Sequence, residues 1–335
     1  MKPVIFGCEG FTLTDKERAF FKEVKPAGFI LFARNIESPK QVSSLTSEMR
    51  QIVGRHKVPI LIDQEGGRVQ RMTETAWRKY PPMAVFGEMA MKDPTLAASA
   101  LRLNCRMIAD DLRRVGITVN CLPLLDVARP ETSTAIGDRA FSDDPNLVAA
   151  LGRIAVDALQ TGGVLPVVKH IPGHGRATVD SHHDLPVVDA PLTALEASDF
   201  VPFQVLKDAP FGMTAHIIYK DIDAAKPATL SRIVIGRIIR MKIGFGGILL
   251  SDDLSMKALS GPIDELAVDS LKAGCDLALH CNGKLDEMQA IAAAVPNISP
   301  KFETKLAGLI RNVEGAAVPD RADLRRRYED LMAKF

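Results

Sequence analysis

The sequence predicts an α/β fold closed into a single (β/α)8 barrel, the TIM-barrel arrangement, with extra helices at the C-terminus. Three observations carry this. Eight short apolar runs alternate with eight helical patterns in unbroken order. The runs are continuously apolar rather than alternating, which marks parallel strands buried on both faces. No GxGxxG fingerprint follows the first run, so an open dinucleotide-binding sheet lacks its signal. Length division of 335 residues allows two domains, but barrels reach this size as one unit, and a single catalytic domain over 1–335 is expected.

The elements follow from local chemistry. Val4 to Cys8 reads as strand one, and Thr14 with Glu17 forms a capping box opening a helix to Val24. Gly28 to Phe32 is strand two, with a helix from Pro39 to Gly54. Val58 to Asp63 is strand three, and its helix starts at Asp93-Pro94, an N-cap followed by Pro at the first helical position, and runs to Val115. Gly116 to Asn120 is strand four, and Asp144-Pro145 repeats the start signal for a helix to Gln160. Val164 to Lys169 is strand five; Thr193 with Glu196 opens the next helix. Phe211 to Ala215, Gly247 to Ser251 and Asp276 to His280 complete the strands, with helices at Ser231–Gly244, Ile263–Lys272 and Leu285–Ala294. Residues 299–335 are read as helices packed on the barrel. In the last of them Leu324, Tyr328, Leu331 and Phe335 share one face while Arg325 to Arg327 point to solvent.

Composition narrows the function classes. Lys plus Arg number 42 against 41 Asp plus Glu, so no overall field steers the chain toward nucleic acid or membrane, and a small-molecule partner is expected. The five cysteines are odd in number and scattered, mostly in apolar runs, without metal spacing; reduced thiols in a cytoplasmic protein fit better than a disulfide framework. The apolar run in MKPVIFGCEG is too short for a signal peptide, and no run approaches a membrane span. A monomer is expected.

One stretch resists any packing explanation. Lys169 to Asp184, KHIPGHGRATVDSHHD, holds four of the seven histidines in sixteen residues, punctuated by glycine and proline as a loop would be. Barrel active sites lie at the C-terminal strand ends, and other polar residues fall there too. Asp63 with QEGGRVQR follows strand three; Asn120 and Asp126 follow strand four; Lys169 and His170 end strand five. His216 follows strand six, and Asp252 and Asp253 follow strand seven. A lone Asp after a strand is most often a helix cap, and arginines such as Arg71 and Arg139 are usually exposed; position on the barrel is what raises them. His174, between glycines, reads as a brace for the loop. Asp180, Ser181 and His182 form the sharpest local group, because an aspartate beside an imidazole holds its tautomer and raises its pKa from ~6.5. Spacing alone leaves His182 and His183 both open as that imidazole.

Taken together, KHIPGHG with DSH after it, DQEGGRVQR, IGDRAFSDDP and SDDLSM, in this order, resemble the family three glycoside hydrolases, and within them the cytoplasmic β-N-acetylhexosaminidases of peptidoglycan recycling. The resemblance spans Val4 to Ala294. It implies that Asp252 is a nucleophile forming a covalent glycosyl-enzyme, that His182 is the general acid/base with Asp180 as its partner, and that Asp63, Arg71, Arg139, Lys169 and His170 hold a terminal N-acetylglucosamine. The implied substrate is N-acetylglucosaminyl-β-1,4-anhydro-N-acetylmuramic acid, with or without peptide, and no cofactor or metal is implied. Ile171 stands where many relatives carry an aromatic, and His183 follows DSH where a histidine is not expected.

Two other readings keep the barrel. A phosphorylase would pass the sugar to phosphate, which a histidine acid/base repels less than a carboxylate does. A metal-dependent hydrolase would use strand-end histidines as ligands, but neither HExxH nor an HxH pair after strand one is present. A sugar sensor without catalysis is disfavoured by the pairing of Asp252 with His182.

Overall fold

The computed structural model describes residues 1–335 except 74, 75, 182, 314, 318 and 319. Eight strands form the barrel: β1 (Lys2–Phe6), β2 (Pro26–Leu31), β3 (Ile60–Ile62), β4 (Val119–Asn120), β5 (Leu165–Ile171), β6 (Phe211–Thr214), β7 (Ile248–Asp253) and β8 (Leu277–His280). Each pairs in parallel with its sequence neighbour, and β8 closes on β1 with Val4 opposite Ala278. Two-sided burial explains the continuous apolar runs. Ile5, Leu61, Val119, Val167, Met213, Leu250 and Leu279 fill the barrel interior. Their neighbours along the same strands, such as Phe6, Ile62, Val168 and Leu249, pack outward against the helices.

Helix α1 (Asp15–Val24) begins where its capping box predicts, and α2 (Pro39–Val53) begins at the expected Pro39. The Thr14 hydroxyl accepts from the Glu17 amide, and the Glu17 carboxylate accepts from the Thr14 amide at 2.8 Å. A helix that the residue pattern missed, α3 (Ala84–Lys92), precedes α4 (Pro94–Arg114), and Asp93 ends one while capping the other. It buttresses the 137–142 segment: a Cβ on Gly87 would lie 1.7 Å from the Phe141 carbonyl oxygen. α5 (Pro145–Thr161) follows β4 as expected.

Between β5 and β6 stand two short helices, α6 (Leu192–Ala197) and α7 (Val201–Val205). The expected Thr193/Glu196 box does not start α6; Pro191 takes the N-cap position, with no side-chain cap bond. The helix after β6 (Val234–Lys242) is wound as a π-helix, which nothing in its residue pattern announces. α8 (Ile263–Ala273) and α9 (Leu285–Ala294) lie where expected.

Strand limits shift from the predicted ones because the hydrogen-bonded ladder need not stop where the apolar run does: β3 and β4 are shorter than their runs, while other strands are longer. β1 starts two residues early, β5 runs on past Lys169 through Ile171, and β7 runs on past Ser251 through Asp253. Both extensions carry an extra residue. Lys169 and Ile171 face the consecutive Met213 and Thr214, and β7 advances three residues from Leu250 to Asp253 against two on β8. Such bulges re-aim side chains at barrel rims.

The C-terminal helices have distinct roles. α10 (Pro300–Val313) sends Leu306 and Ile310 into the cluster that fills the barrel interior. It does so at the N-terminal end of the strands, where the Ile298 amide donates to the Met1 carbonyl. α11 (Arg321–Met332) packs beside α4 through Leu324 and Tyr328, while Phe335, placed by periodicity on the same face, stays partly exposed under the Lys92 ammonium. The five cysteines are buried as separate thiols. Among the described residues no helix is long and apolar enough to cross a membrane.

If α10 completes the barrel core, Leu306→Ala is expected to cost about 2–5 kcal/mol of unfolding free energy. Urea denaturation measures it, and an unchanged midpoint would place α10 outside the core.

Candidate active site

At the C-terminal strand ends a cavity of about 140 Å³ opens among Asp63, Arg71, Arg139, Lys169, His170, Asp180 and Asp252. A larger hollow of about 580 Å³ lies between the 76–80 segment and α11. There the arginines already have carboxylate partners, Arg78 and Arg325 sharing Glu329 and Arg321 pairing with Asp111. The smaller cavity is where unlike chemical groups converge.

Its floor is a buried charge cluster. The Lys169 ammonium, on β5, lies 2.9 Å from Asp63 Oδ1 and 2.7 Å from Glu65 Oε1. Arg139, from the 137–139 turn, donates through Nε and Nη2 to the two Glu65 oxygens at 2.9 and 2.8 Å, and Arg71 reaches Asp63 at 3.3 Å. Burial pushes both carboxyls up, but the adjacent cations outweigh it and hold Asp63 and Glu65 below the usual carboxylate range. Burial draws Lys169 down, yet the two carboxylates win and raise it. Asp63, Glu65 and Lys169 are therefore all charged near neutral pH.

The loop around Glu65 is shaped by local bonding. The Asn120 side chain, at the end of β4, accepts from the Gln64 amide at 3.0 Å and donates to the Gln64 carbonyl at 2.9 Å. Asn120 is thus a strap for the segment after β3 and stands outside the cavity wall. The Gln64 side chain in turn accepts from the Arg71 and Met72 amides. Gly66, at φ 111°, passes so close to Pro81 that a Cβ would meet its carbonyl oxygen at 2.2 Å.

His170 is oriented by Asp126. Its Nδ1 lies 2.8 Å from Asp126 Oδ2, while the other carboxylate oxygen accepts the amides of His170 and His174 at 3.1 and 2.7 Å. Burial raises the Asp126 carboxyl, and His170 and His174 overcome it, leaving it near 2. His174 is buried with Nε2 3.4 Å from Ser181 Oγ, and burial with the neighbouring His170 lowers it to about 4. It is a neutral brace between the two halves of the loop.

Those halves differ in attachment. Tyr219 donates its hydroxyl to the Gly173 carbonyl at 2.7 Å, Thr132 donates to the Gly175 carbonyl, and the Ser133 amide donates to the Ala177 carbonyl. Beyond Ala177 the chain turns outward, and Thr178 and Val179 are exposed. Asp180 lines the cavity; its carboxylate is 4.0 Å from Nε2 of His183, which is itself 72% exposed. His182 lies outside the described residues.

The two aspartates of β7 separate clearly. Asp253 is committed to the backbone: its carboxylate accepts from the Ser255 hydroxyl and amide and from the Cys281 amide. Asp252 accepts the Asp253 amide at 2.8 Å. Burial pushes Asp252 up, while His216, His170, that amide and Lys169 bring it below the ordinary carboxylate value. His216 is fully buried and off the cavity wall. Its Nε2 must donate to the Asp253 carbonyl at 3.0 Å, so Nδ1 accepts from Thr229 at 2.7 Å, and the ring supports β7 from behind.

The cavity thus gathers Asp63, Arg71, Arg139, Lys169, His170, Asp180 and Asp252. Sequence reasoning quoted the segment containing Glu65 without singling it out. An acid two residues after a strand-end aspartate, ahead of paired glycines, was the available signal.

Asp126 carries a pH signature. Its folded value of about 2 lies below the unfolded ~3.9, so the stability it supplies is present above pH ~4 and is lost as pH falls through about 2. This amounts to on the order of 2–3 kcal/mol. Asp126→Asn is expected to lower stability at pH 7 and to flatten that acid limb in urea titrations run from pH 7 to 2; an equally steep limb in the variant would reject it.

Known proteins resemble this chain over nearly its whole length. Residues 7–309 match the model for the glycosyl hydrolase family 3 N terminal domain. A beta-hexosaminidase of Alkalilimnicola ehrlichii is 37% identical over 311 residues, covering 92% of this chain and 88% of its own. One of Chromobacterium violaceum is 37% identical over 308 residues, covering 91% and 85%. The crystal structure of NagZ from Neisseria gonorrhoeae in complex with N-trifluoroacetyl-D-glucosamine superposes with a TM-score of 0.88 at 32% identity, covering 99% of this chain and 97% of that one. A barrel with this strand order, this strand-end charge cluster and this extent of likeness belongs to glycosyl hydrolase family 3, among its β-hexosaminidases.

Proposed function

We propose that the protein is a retaining exo-β-N-acetylglucosaminidase that removes terminal N-acetylglucosamine from N-acetylglucosaminyl-β-1,4-anhydro-N-acetylmuramic acid, with or without peptide, in cytoplasmic cell-wall recycling. The observation that carries this reading is Asp252, held ionised at the rim of β7 in the same small cavity as the Asp63, Lys169 and Arg139 cluster. A cavity of about 140 Å³ favours one sugar ring over an extended polysaccharide. The gonorrhoeal relative binds an N-acylglucosamine, which supports the same sugar class here.

In this reading Asp252 attacks the anomeric carbon while the glycosidic bond breaks, and His182 gives its proton to the leaving oxygen. His182 then takes a proton from water as that water displaces Asp252, so configuration is retained. Asp180 orients the imidazole and favours its protonated form. Asp63, Arg71, Arg139, Lys169 and His170 hold hydroxyl and acetamido groups. They are fixed before the sugar arrives, so little ordering remains to be done at the reacting centre. No step calls for a metal.

Trapping with a mechanism-based fluorosugar is expected to label the peptide containing Asp252, and Asp252→Ala to lower turnover of an aryl N-acetyl-β-glucosaminide by roughly 10³-fold or more. Label on any other carboxylate would reject the assignment. His182→Ala is expected to slow poor leaving groups far more than activated ones; if His183→Ala does this instead, the acid/base is misplaced by one residue. Because Asp252 is held low, the acid limb of kcat/KM is expected below the ordinary carboxylate pKa. Activity should survive chelation, and the product in phosphate buffer should be the free sugar.

A further inference from the structure

We propose that Glu65 is the positioning residue of the sugar subsite, aiming the Arg139 guanidinium and the Lys169 ammonium at the ligand without touching it. Glu65 is 1% exposed and stands behind the cavity wall, whereas Arg139, Lys169 and Asp63 form that wall. Its two oxygens are fully engaged: one receives Arg139 Nη2 and the Lys169 ammonium, the other Arg139 Nε. A fork-on-fork pair fixes a guanidinium in plane as well as in place. The remaining Arg139 nitrogen donates to the Ala135 carbonyl at 2.8 Å, so the guanidinium is held on two sides.

Charge makes the second part of the argument. Arg71, Arg139 and Lys169 bring three positive charges against Asp63 and Glu65. Without Glu65 two of those charges would stand uncompensated in a buried place, and both long side chains would turn toward other acceptors. The other carboxylates that act on them are Asp63 and Asp126 for Arg139, and Asp63 and Asp252 for Lys169. Glu65 therefore keeps the donors pointed at sugar oxygens rather than at these neighbouring carboxylates.

The inference rests on the sugar-holding roles proposed above, and a mutant cycle separates the two. Arg139→Ala, Glu65→Gln and the double variant are compared by KM for an aryl N-acetyl-β-glucosaminide, with thermal unfolding as the check on folding. Glu65→Gln is expected to raise KM roughly tenfold to a hundredfold. In the Arg139→Ala background the same change is expected to do much less, because its route through the guanidinium is already gone. An unchanged KM in Glu65→Gln, or the full effect repeated on top of Arg139→Ala, would overturn the positioning role alone. An unchanged KM in Arg139→Ala would instead overturn the subsite and the role together. Should Glu65→Gln not fold, Glu65→Asp, which keeps the charge and withdraws it by one methylene, enters the same cycle with the same expected outcomes.

Discussion

Lys169 is almost entirely buried, and an ammonium in that position is tolerated only because Asp63 and Glu65 both reach it. An isolated buried charge costs several kcal/mol, and removing one partner of such a pair leaves that cost exposed. The cluster joins three separate pieces of chain: the segment after β3, the middle of β5, and the turn carrying Arg139. Folding that brings them together also assembles the sugar-facing wall. Stability and site geometry are coupled here through a few charged atoms.

Around that cluster the barrel does two things at once. Its strands bury both faces, so the scaffold is stiff where it meets the charged groups. At the same time β5 and β7 each carry an extra residue near the rim. A regular strand would send neighbours to opposite faces; the bulges let Lys169 and His170, and likewise Asp252 and Asp253, all line the cavity. α3 serves the same end from outside, since only glycine at position 87 lets it approach the backbone that supports Arg139.

The loop after β5 combines a well-anchored half with one whose described residues are more exposed. From Gly173 to Ala177 its carbonyls are taken by Tyr219, Thr132 and Ser133, and His174 is a buried neutral brace. Among the described residues that follow, Thr178, Val179, His183 and Asp184 are exposed, while Ser181 is buried and meets His174 by its side chain and the Ala258 amide by its carbonyl. The groups proposed to hold sugar therefore sit on fixed structure. Asp180, proposed to assist proton transfer, sits on the more exposed part.

Much of this was legible in the residues. Apolar run lengths announced eight strands, the Thr14–Glu17 box and the Asp-Pro pairs announced helix starts, and polar residues at successive strand ends announced a site on one face. These signals are local, set by propensity and by the next few residues in the chain. What they lacked was direction. Local pattern does not separate Asp252 from Asp253, which the resemblance alone told apart; in the fold the Ser255 and Cys281 contacts engage the second. Asn120 and His216 stood on the expected face yet turn away from the cavity to brace main chain, and Glu65 passed unremarked although it binds two cations.

By itself, then, the sequence determined the barrel, the face on which chemistry is placed, and the set of residues from which the site is drawn. The tertiary structure alone decided which of them meet and in what charge state. The physical reason is that strand runs and helix caps depend on neighbours a few residues apart. The ionisation and aim of Asp63, Glu65, Arg139, Lys169 and Asp252 depend instead on partners brought from as far as 106 residues along the chain, as in the pair of Lys169 with Asp63.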